Sequence, residues 1–190
     1  IASCLVGSEM CIRDSTDVVL LGAIIKYVLD NDLYFRDYVV NYTNAASIIS
    51  PDYQDTEDLE GLFSGYDSET GKYVTDSWQY VRKPEGSSWN VEKDPTLEHP
   101  HSVFQILKRH YSRYAPEVVE ETCGISPEDF YYLADSIAKN STPERTTCFA
   151  YALGFTQHTL GAQFIRTAAI LQLLMGNVGR PGSGIMAVSY

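Results

Sequence analysis

Long apolar runs are missing from this sequence. No stretch of about eighteen uninterrupted apolar residues occurs, so no segment reads as a transmembrane helix. Positive charge is scarce too. Fourteen lysines and arginines stand against 25 aspartates and glutamates, a formal net charge of -11. That balance argues against a nucleic-acid partner, because no basic patch is present to neutralise phosphates. Cysteines number four, Cys4, Cys11, Cys123 and Cys148. Their spacing offers neither a paired zinc pattern nor a disulfide framework. No internal repeat is found, and the first residues lack the basic start and apolar core of a secretory signal.

What is present is organised around Thr146 to Gly184. Thr146 to Leu153 is uncharged, β-branched, aromatic and apolar, which predicts a buried strand with Cys148 as a small core residue. Gly154 is expected to stop it. A polar loop with Gln157 and His158 comes next, then apolar residues at helical spacing from Ala162 to Met175. Gly176-Asn177 and Gly179-Arg180-Pro181-Gly182 supply left-handed and turn chemistry at the exit. In an open α/β sheet, the loop after a strand is where a ligand sits. The start of the next helix offers N–H groups that suit an anion.

In chain order, residues 1–15 look foreign, like translated sequencing-adapter sequence, and 188–190 like the start of a second such scar. The expectation is that 16–187 is an internal piece of a larger protein. A genuine short N-terminal arm is the alternative. Thr16 to Asn31 predicts a buried helix, with Thr16 as N-cap and Asp17 in the first turn. Asp32 to Thr43 reads as a second, short helix. From about 44 to 100 the pattern dissolves into an acidic, tyrosine-rich insertion, with a small hairpin over Tyr66 to Tyr73. Its tyrosines, Trp78 and Trp89 read as packing anchors. His99 and His101 flank Pro100 without a third ligand and read as a solvated loop. Helices are expected over His101 to Tyr114, from Pro116 to Gly124, and from a Ser126-Pro127-Glu128-Asp129 capping signature onward. The class is α/β: a helix-rich, partial Rossmann-like αβα dinucleotide-binding domain with a long irregular insertion.

Three groups of residues carry a resemblance. They are Leu153-Gly154-Phe155-Thr156-Gln157-His158-Thr159 with Gly161-Ala162-Gln163, Leu174 to Gly182, and the pair Tyr38 to Asn44 and Gly61 to Tyr66. From about Thr16 to Ala187 the chain resembles the molybdopterin oxidoreductases that bind bis-molybdopterin guanine dinucleotide, and within them the respiratory formate dehydrogenases. The resemblance implies oxidation of formate to carbon dioxide at a molybdenum or tungsten centre. It also implies an iron-sulfur cluster in the rest of the protein, an iron-sulfur electron-transfer subunit, a membrane cytochrome subunit, and a periplasmic location. Nitrate and polysulfide reductases of the same superfamily are the alternative enzymes, and a non-enzymatic Rossmann-like binding domain is the alternative class.

By the same resemblance, cofactor contacts fall to Thr16, Asp17, Leu153, Gly154, Phe155, Gln157 and His158. Asp17 would accept from two edge donors of guanine, whereas Thr16-Asp17 taken alone is a plain helix cap. Leu153 stands where the family often has Met, and keeps an apolar side chain near the pterin. Gly154 would let the backbone approach closely. Gln157 both donates and accepts, so it can read the mixed edge of a pterin. His158 would bond a dithiolene sulfur or a phosphate, or merely cap the loop. The family's selenocysteine or cysteine metal ligand is expected upstream of Thr16, and its formate-activating arginine beyond Ala187. No residue here is assigned as catalytic or as a metal ligand. The polypeptide alone, supplied with cofactor and a dye acceptor, is therefore expected to show no formate oxidation. Metal-dependent turnover above background in that assay would sink the assignment.

Overall fold

The computed structural model describes residues 16–84 and 90–188; residues 1–15, Gly86, Trp89 and the last two residues lie outside the described residues. The chain divides into two compact units, residues 39–110 and the remainder.

The remainder is built on one apolar helix. Helix α1, Asp17–Asp30, buries Leu20, Leu21, Ala23, Ile24, Ile25, Val28 and Leu29, which cover most of its circumference. A helix of that kind is stable only when covered on several sides. Three helices do this: α4 (Pro116–Cys123), α5 (Pro127–Lys139) and α7 (Gly161–Leu174). On these helices Val119, Phe130, Ala134, Phe164, Ala168 and Leu171 are all fully or almost fully buried. Tyr27 turns its ring edge to Phe130 at 6.4 Å and donates its hydroxyl to Asp135 at 2.7 Å. That bond to a carboxylate raises the Tyr27 pKa, and Asp135 is lowered by Lys139 first and Tyr27 second.

The helix ends follow their local chemistry. Pro116 opens α4 at its first turn, and Gly124 closes it at φ 73°. Ser126 caps α5, accepting from Asp129 N at 3.1 Å. Its hydroxyl then donates to the Asp129 carboxylate at 2.8 Å. Thr16 behaves differently from expectation. Its side chain makes no capping bond; its carbonyl accepts from Val19 N at 2.9 Å instead. With φ -103° and ψ 2°, Thr16 is not in the extended backbone from which a capping hydroxyl reaches the next turn. Leu133 on α5 is 36% exposed, in contrast to Phe130 and Ala134.

The sheet in this unit is small. Strand β3 (Cys148–Tyr151) pairs in parallel with β4 (Gly184–Ala187), joined through α7. Two expectations are corrected here. The strand is shorter than Thr146 to Leu153, and it is half-exposed rather than buried, with Cys148 exposed. It has one neighbour, so one edge and part of each face stay uncovered among the described residues. Gly154 does not end the strand but lies within a helical turn, α6, Leu153–Thr156. The architecture is thus mixed helix with small sheets, α/β in the coarse sense.

A buried polar knot fixes β4 beside β3. At the end of α7, Gly176 takes φ 66° and Asn177 N donates to Gln172 O at 2.8 Å, closing the helix in a Schellman turn. An added Cβ on Gly176 would also stand 2.5 Å from the Phe35 ring. Gln172 and Asn177 are both 0% exposed. Gln172 Nε2 donates to Thr147 O at 2.9 Å and to Gly184 O at 2.7 Å, the backbone at the head of each strand. Asn177 Nδ2 donates to Gln172 Oε1 at 2.6 Å and lies within reach of the Ser141 and Thr147 hydroxyls. Arg180 completes the tie, donating to Thr142 O at 2.9 Å and Pro143 O at 2.6 Å.

The unit 39–110 is mostly irregular yet well bonded. Helix α2, Arg36–Tyr42, runs into it, and helix α3, Val103–Tyr111, closes it. Isolated bridges join Ile48 to Ser102, Ile49 to Tyr80 and Arg82 to Val91. The hairpin appears as expected: β1 (Tyr66–Asp67) pairs antiparallel with β2 (Lys72–Tyr73), and Gly71 is left-handed. Arg109 clamps the segment by binding Asp55, 3% exposed, at 2.7 Å and Asp58 at 3.0 Å. Asp94 gathers the N–H groups of Thr96, Glu98 and His99. Those bonds, and before them the Thr96 hydroxyl, hold its carboxyl down to about 2.

The knot and the core should fail differently. Leu171→Ala removes a fully buried side chain and is expected to cost about 2–5 kcal/mol through the cavity left behind. Asn177→Ala strips donors from buried acceptors and should cost about 1–3 kcal/mol. Its hydrogen exchange should rise first at 184–187, while Leu171→Ala raises exchange throughout the helices. Unchanged melting and exchange in Asn177→Ala would remove the knot from the account of β4.

Candidate functional site

The loop that leaves β3 is held from one side and open on the other. Tyr151 stacks on Phe155 at 5.9 Å, and Phe155 turns edge-on to Phe164 at 5.8 Å. The His158 ring lies 5.4 Å from the same Phe164, which is wholly buried in α7. Phe155 and His158 are therefore the half-buried anchors of the loop. Gly161 is the point of closest approach. A Cβ there would lie 2.3 Å from Phe155 O, so only glycine lets α6 fold back on the start of α7.

The opposite side presents a different set. Leu153 is 59% exposed and Leu160 44%, which is unusual for leucines in an otherwise packed unit. Gln157 is exposed, with its N–H returned to Leu153 O at 2.8 Å. Its side-chain amide makes no hydrogen bond among the described residues. Around Gly154 there is open space: nothing lies within 4 Å of where a Cβ would stand. The outward face thus combines an apolar shelf, a backbone without a side chain, and an unpaired amide that can both donate and accept.

The seven residues singled out from the sequence therefore separate into groups. Leu153, Gly154 and Gln157 are presented. Phe155 and His158 hold the loop in place. Thr16 and Asp17 stand on another element, at the start of α1, where Thr16 O meets Cys123 Sγ at 3.6 Å. The anion cup expected at the start of α7 is largely filled by its own loop. Gly161 N donates to His158 O at 3.0 Å, and Gln163 and Phe164 N–H groups go to Leu160 O. Among the described residues no cluster of three or more His, Cys, Asp and Glu side chains could hold a metal ion. No described helix is long and apolar enough to cross a membrane.

Sequence reasoning missed β4 and the knot that places it. A signal was available: Gln172 is the single amide among the apolar residues near the end of α7, and Asn177 comes directly after the glycine that ends that helix. The glycine-rich exit, prominent in the resemblance, is thereby seen to hold structure together rather than to face the open side of the loop.

No family model matches the chain. Similarity to individual proteins is extensive. The major subunit of the nitrate-inducible formate dehydrogenase of Escherichia coli (strain K12) is 45% identical over 177 residues, 93% of this chain. The alpha subunit of formate dehydrogenase 2 (cytochrome c-553) of Nitratidesulfovibrio vulgaris is 41% identical over the same share. A sulfite dehydrogenase subunit of Allochromatium vinosum stands further off, 27% identical over 206 aligned positions. The chain spans about 17% of the length of the two formate dehydrogenase subunits. Across nearly all of its own length, then, the chain belongs to the family of formate dehydrogenase major subunits, of which it represents one segment.

Proposed function

We propose that this segment positions the cofactor of a formate dehydrogenase, and that the Leu153–His158 loop is its point of contact. The observation that carries the reading is the outward face of that loop, an unpaired Gln157 amide between exposed leucines beside the open Gly154. Those residues fit a flat, polar-edged group such as a pterin. Leu153 and Leu160 would lie against its apolar surface. Gly154 leaves room for close approach, and Gln157 would pair with a mixed donor–acceptor edge. The cofactor would be bis-molybdopterin guanine dinucleotide with molybdenum or tungsten, and Asp17 with Thr16 would bind guanine at the start of α1. When bound, that group supplies the redox centre that takes up the two electrons of formate as carbon dioxide and a proton are released. This chain contributes orientation and exclusion of water, which is the protein's share in such an enzyme. Phe155 and His158 act at one remove by fixing the loop on Phe164.

In the same reading, β3, α7 and β4 form one edge of a larger Rossmann-like sheet in the complete protein. In the complete protein an iron-sulfur cluster would supply the exit for electrons; its partners would be an iron-sulfur subunit and a membrane cytochrome subunit, with this protein on the periplasmic side. Identity of 45% to a formate dehydrogenase against 27% to a sulfite dehydrogenase favours formate over other substrates.

Two variants of the intact protein test the loop. Gln157→Ala should leave the melting temperature unchanged, because the side chain supports nothing in the fold. It should lower cofactor occupancy or turnover by roughly tenfold to over a hundredfold, the equivalent of about 1–3 kcal/mol for an unpaired polar edge. Gly154→Ala meets no atom among the described residues, so a loss of molybdenum or tungsten content at an unchanged melting temperature would point to space taken from a ligand. Full metal content and activity in both variants would return the loop to a purely structural role.

A further inference from the structure

The motif Gly61-Leu62-Phe63-Ser64-Gly65-Tyr66 is not used by the cofactor loop. It lies in the unit 39–110 and builds an exposed aromatic platform with the hairpin. Phe63 meets Trp78 at 5.7 Å, Tyr73 meets Trp78 at 5.4 Å, and Tyr66 meets Tyr73 at 5.2 Å. These four rings are each 36–41% exposed, and Leu62 and Val74 beside them are 42% and 57% exposed. Exposed apolar side chains clustered in this way make the face a candidate interaction surface.

The platform is rigid before anything binds. Trp78 Nε1 donates to Ser64 O at 2.9 Å, and Val74 N donates to Gly65 O at 2.8 Å. A Cβ on Gly65 would stand 2.0 Å from Val74 O, so the two segments touch backbone to backbone. Ser64 and Ser77 share a hydroxyl bond at 2.8 Å. Preorganisation of this kind lowers the entropic cost of association.

Its charge selects the partner. From residue 52 to 78 there are eight carboxylates against a single lysine, Lys72; Arg109 holds two of them, Asp55 and Asp58, and Glu57 faces His110, so the acidic excess that is left rests on Asp52, Glu60, Asp67, Glu69 and Asp76. Asp52, Glu60, Glu69 and Asp76 are exposed and form no ion pair among the described residues. Such a face repels nucleic acid, anionic lipid and a second copy of itself. Open aromatic faces among unpaired carboxylates are what a guanidinium recognises, since it stacks on rings and pairs with carboxylates at once. An apolar centre with a charged rim is also the anatomy of an interface between separable proteins.

We propose that the Leu62–Trp78 face docks a separate protein subunit whose contacting surface is basic and arginine-bearing. Nothing in this face depends on the formate chemistry. Hydroxyl-radical footprinting of the full-length protein, by itself and in its purified enzyme assembly, gives the first test. Tyr66, Tyr73 and Trp78 should be accessible in the isolated protein and at least threefold protected in the assembly. Protection already present in the isolated protein would assign the face to the rest of its own chain, and accessibility in both states would leave it without a partner; either result overturns the proposal. The second test uses the full-length protein with nona-arginine and nona-lysine peptides. Nona-arginine should bind at least fivefold more tightly, and Tyr73→Ser should abolish the difference. Val74→Ser, which disturbs no ring contact, should weaken nona-arginine binding without lowering the melting temperature. Equal binding of the two peptides, or dimerisation of the chain that Val74→Ser removes, refutes it.

Discussion

Two amide side chains, Gln172 and Asn177, hold the strand pair together. A parallel pair of four-residue strands has little stability of its own, because its ladder is short and part of each face is uncovered among the described residues. Gln172 overcomes this from within α7 by binding the first backbone oxygen on each side, at Thr147 and Gly184. Asn177 then locks the orientation of Gln172 and engages the hydroxyls that precede β3. Buried amides are costly unless paired, so the knot permits one arrangement and penalises register slips. The Leu153–His158 loop inherits its position from this. It begins at the end of β3 and closes on Phe164 in the same helix that carries Gln172.

The knot is not perfectly satisfied. Asn177 Oδ1 is buried without a partner among the described residues, and its Nδ2 lies within reach of three acceptors with two hydrogens. An oxygen of this kind is an unpaired cost inside the most constrained part of the unit. The constraint therefore has a weak member as well as strong ones, located beside Ser141 at the turn that leads from α5 toward β3.

Legibility in the sequence followed locality. Helices α1, α4, α5 and α7 were readable because their apolar spacing and their end signals, Pro116, Gly124, Ser126 and Gly176, act within a few residues. The hairpin over Tyr66 to Tyr73 was readable for the same reason. Strand burial was not, because it depends on which neighbours cover the face, and Thr146 to Leu153 carries no information about that. Gly154 was misplaced because glycine ends a strand or begins a turn with equal ease. Of the candidate site, the exposure of Gly154 and Gln157 in a polar loop after a strand was legible in the sequence. The division of labour that makes Phe155 and His158 anchors could not, because it rests on their long-range contact with Phe164.

Pairing β3 with β4 requires Cys148 and Gly184 to meet across the whole of α7. For a flexible segment, closure of so long a loop is an entropic barrier. A helix formed early shortens the path, since α7 collapses most of the intervening residues into a single rod. Strand pairing is thus conditional on a local event, and the polar knot can form only after both. The loop that presents Gln157 would accordingly be among the last parts of this unit to acquire its shape, and the first to lose it when the unit opens from the Gly184 end.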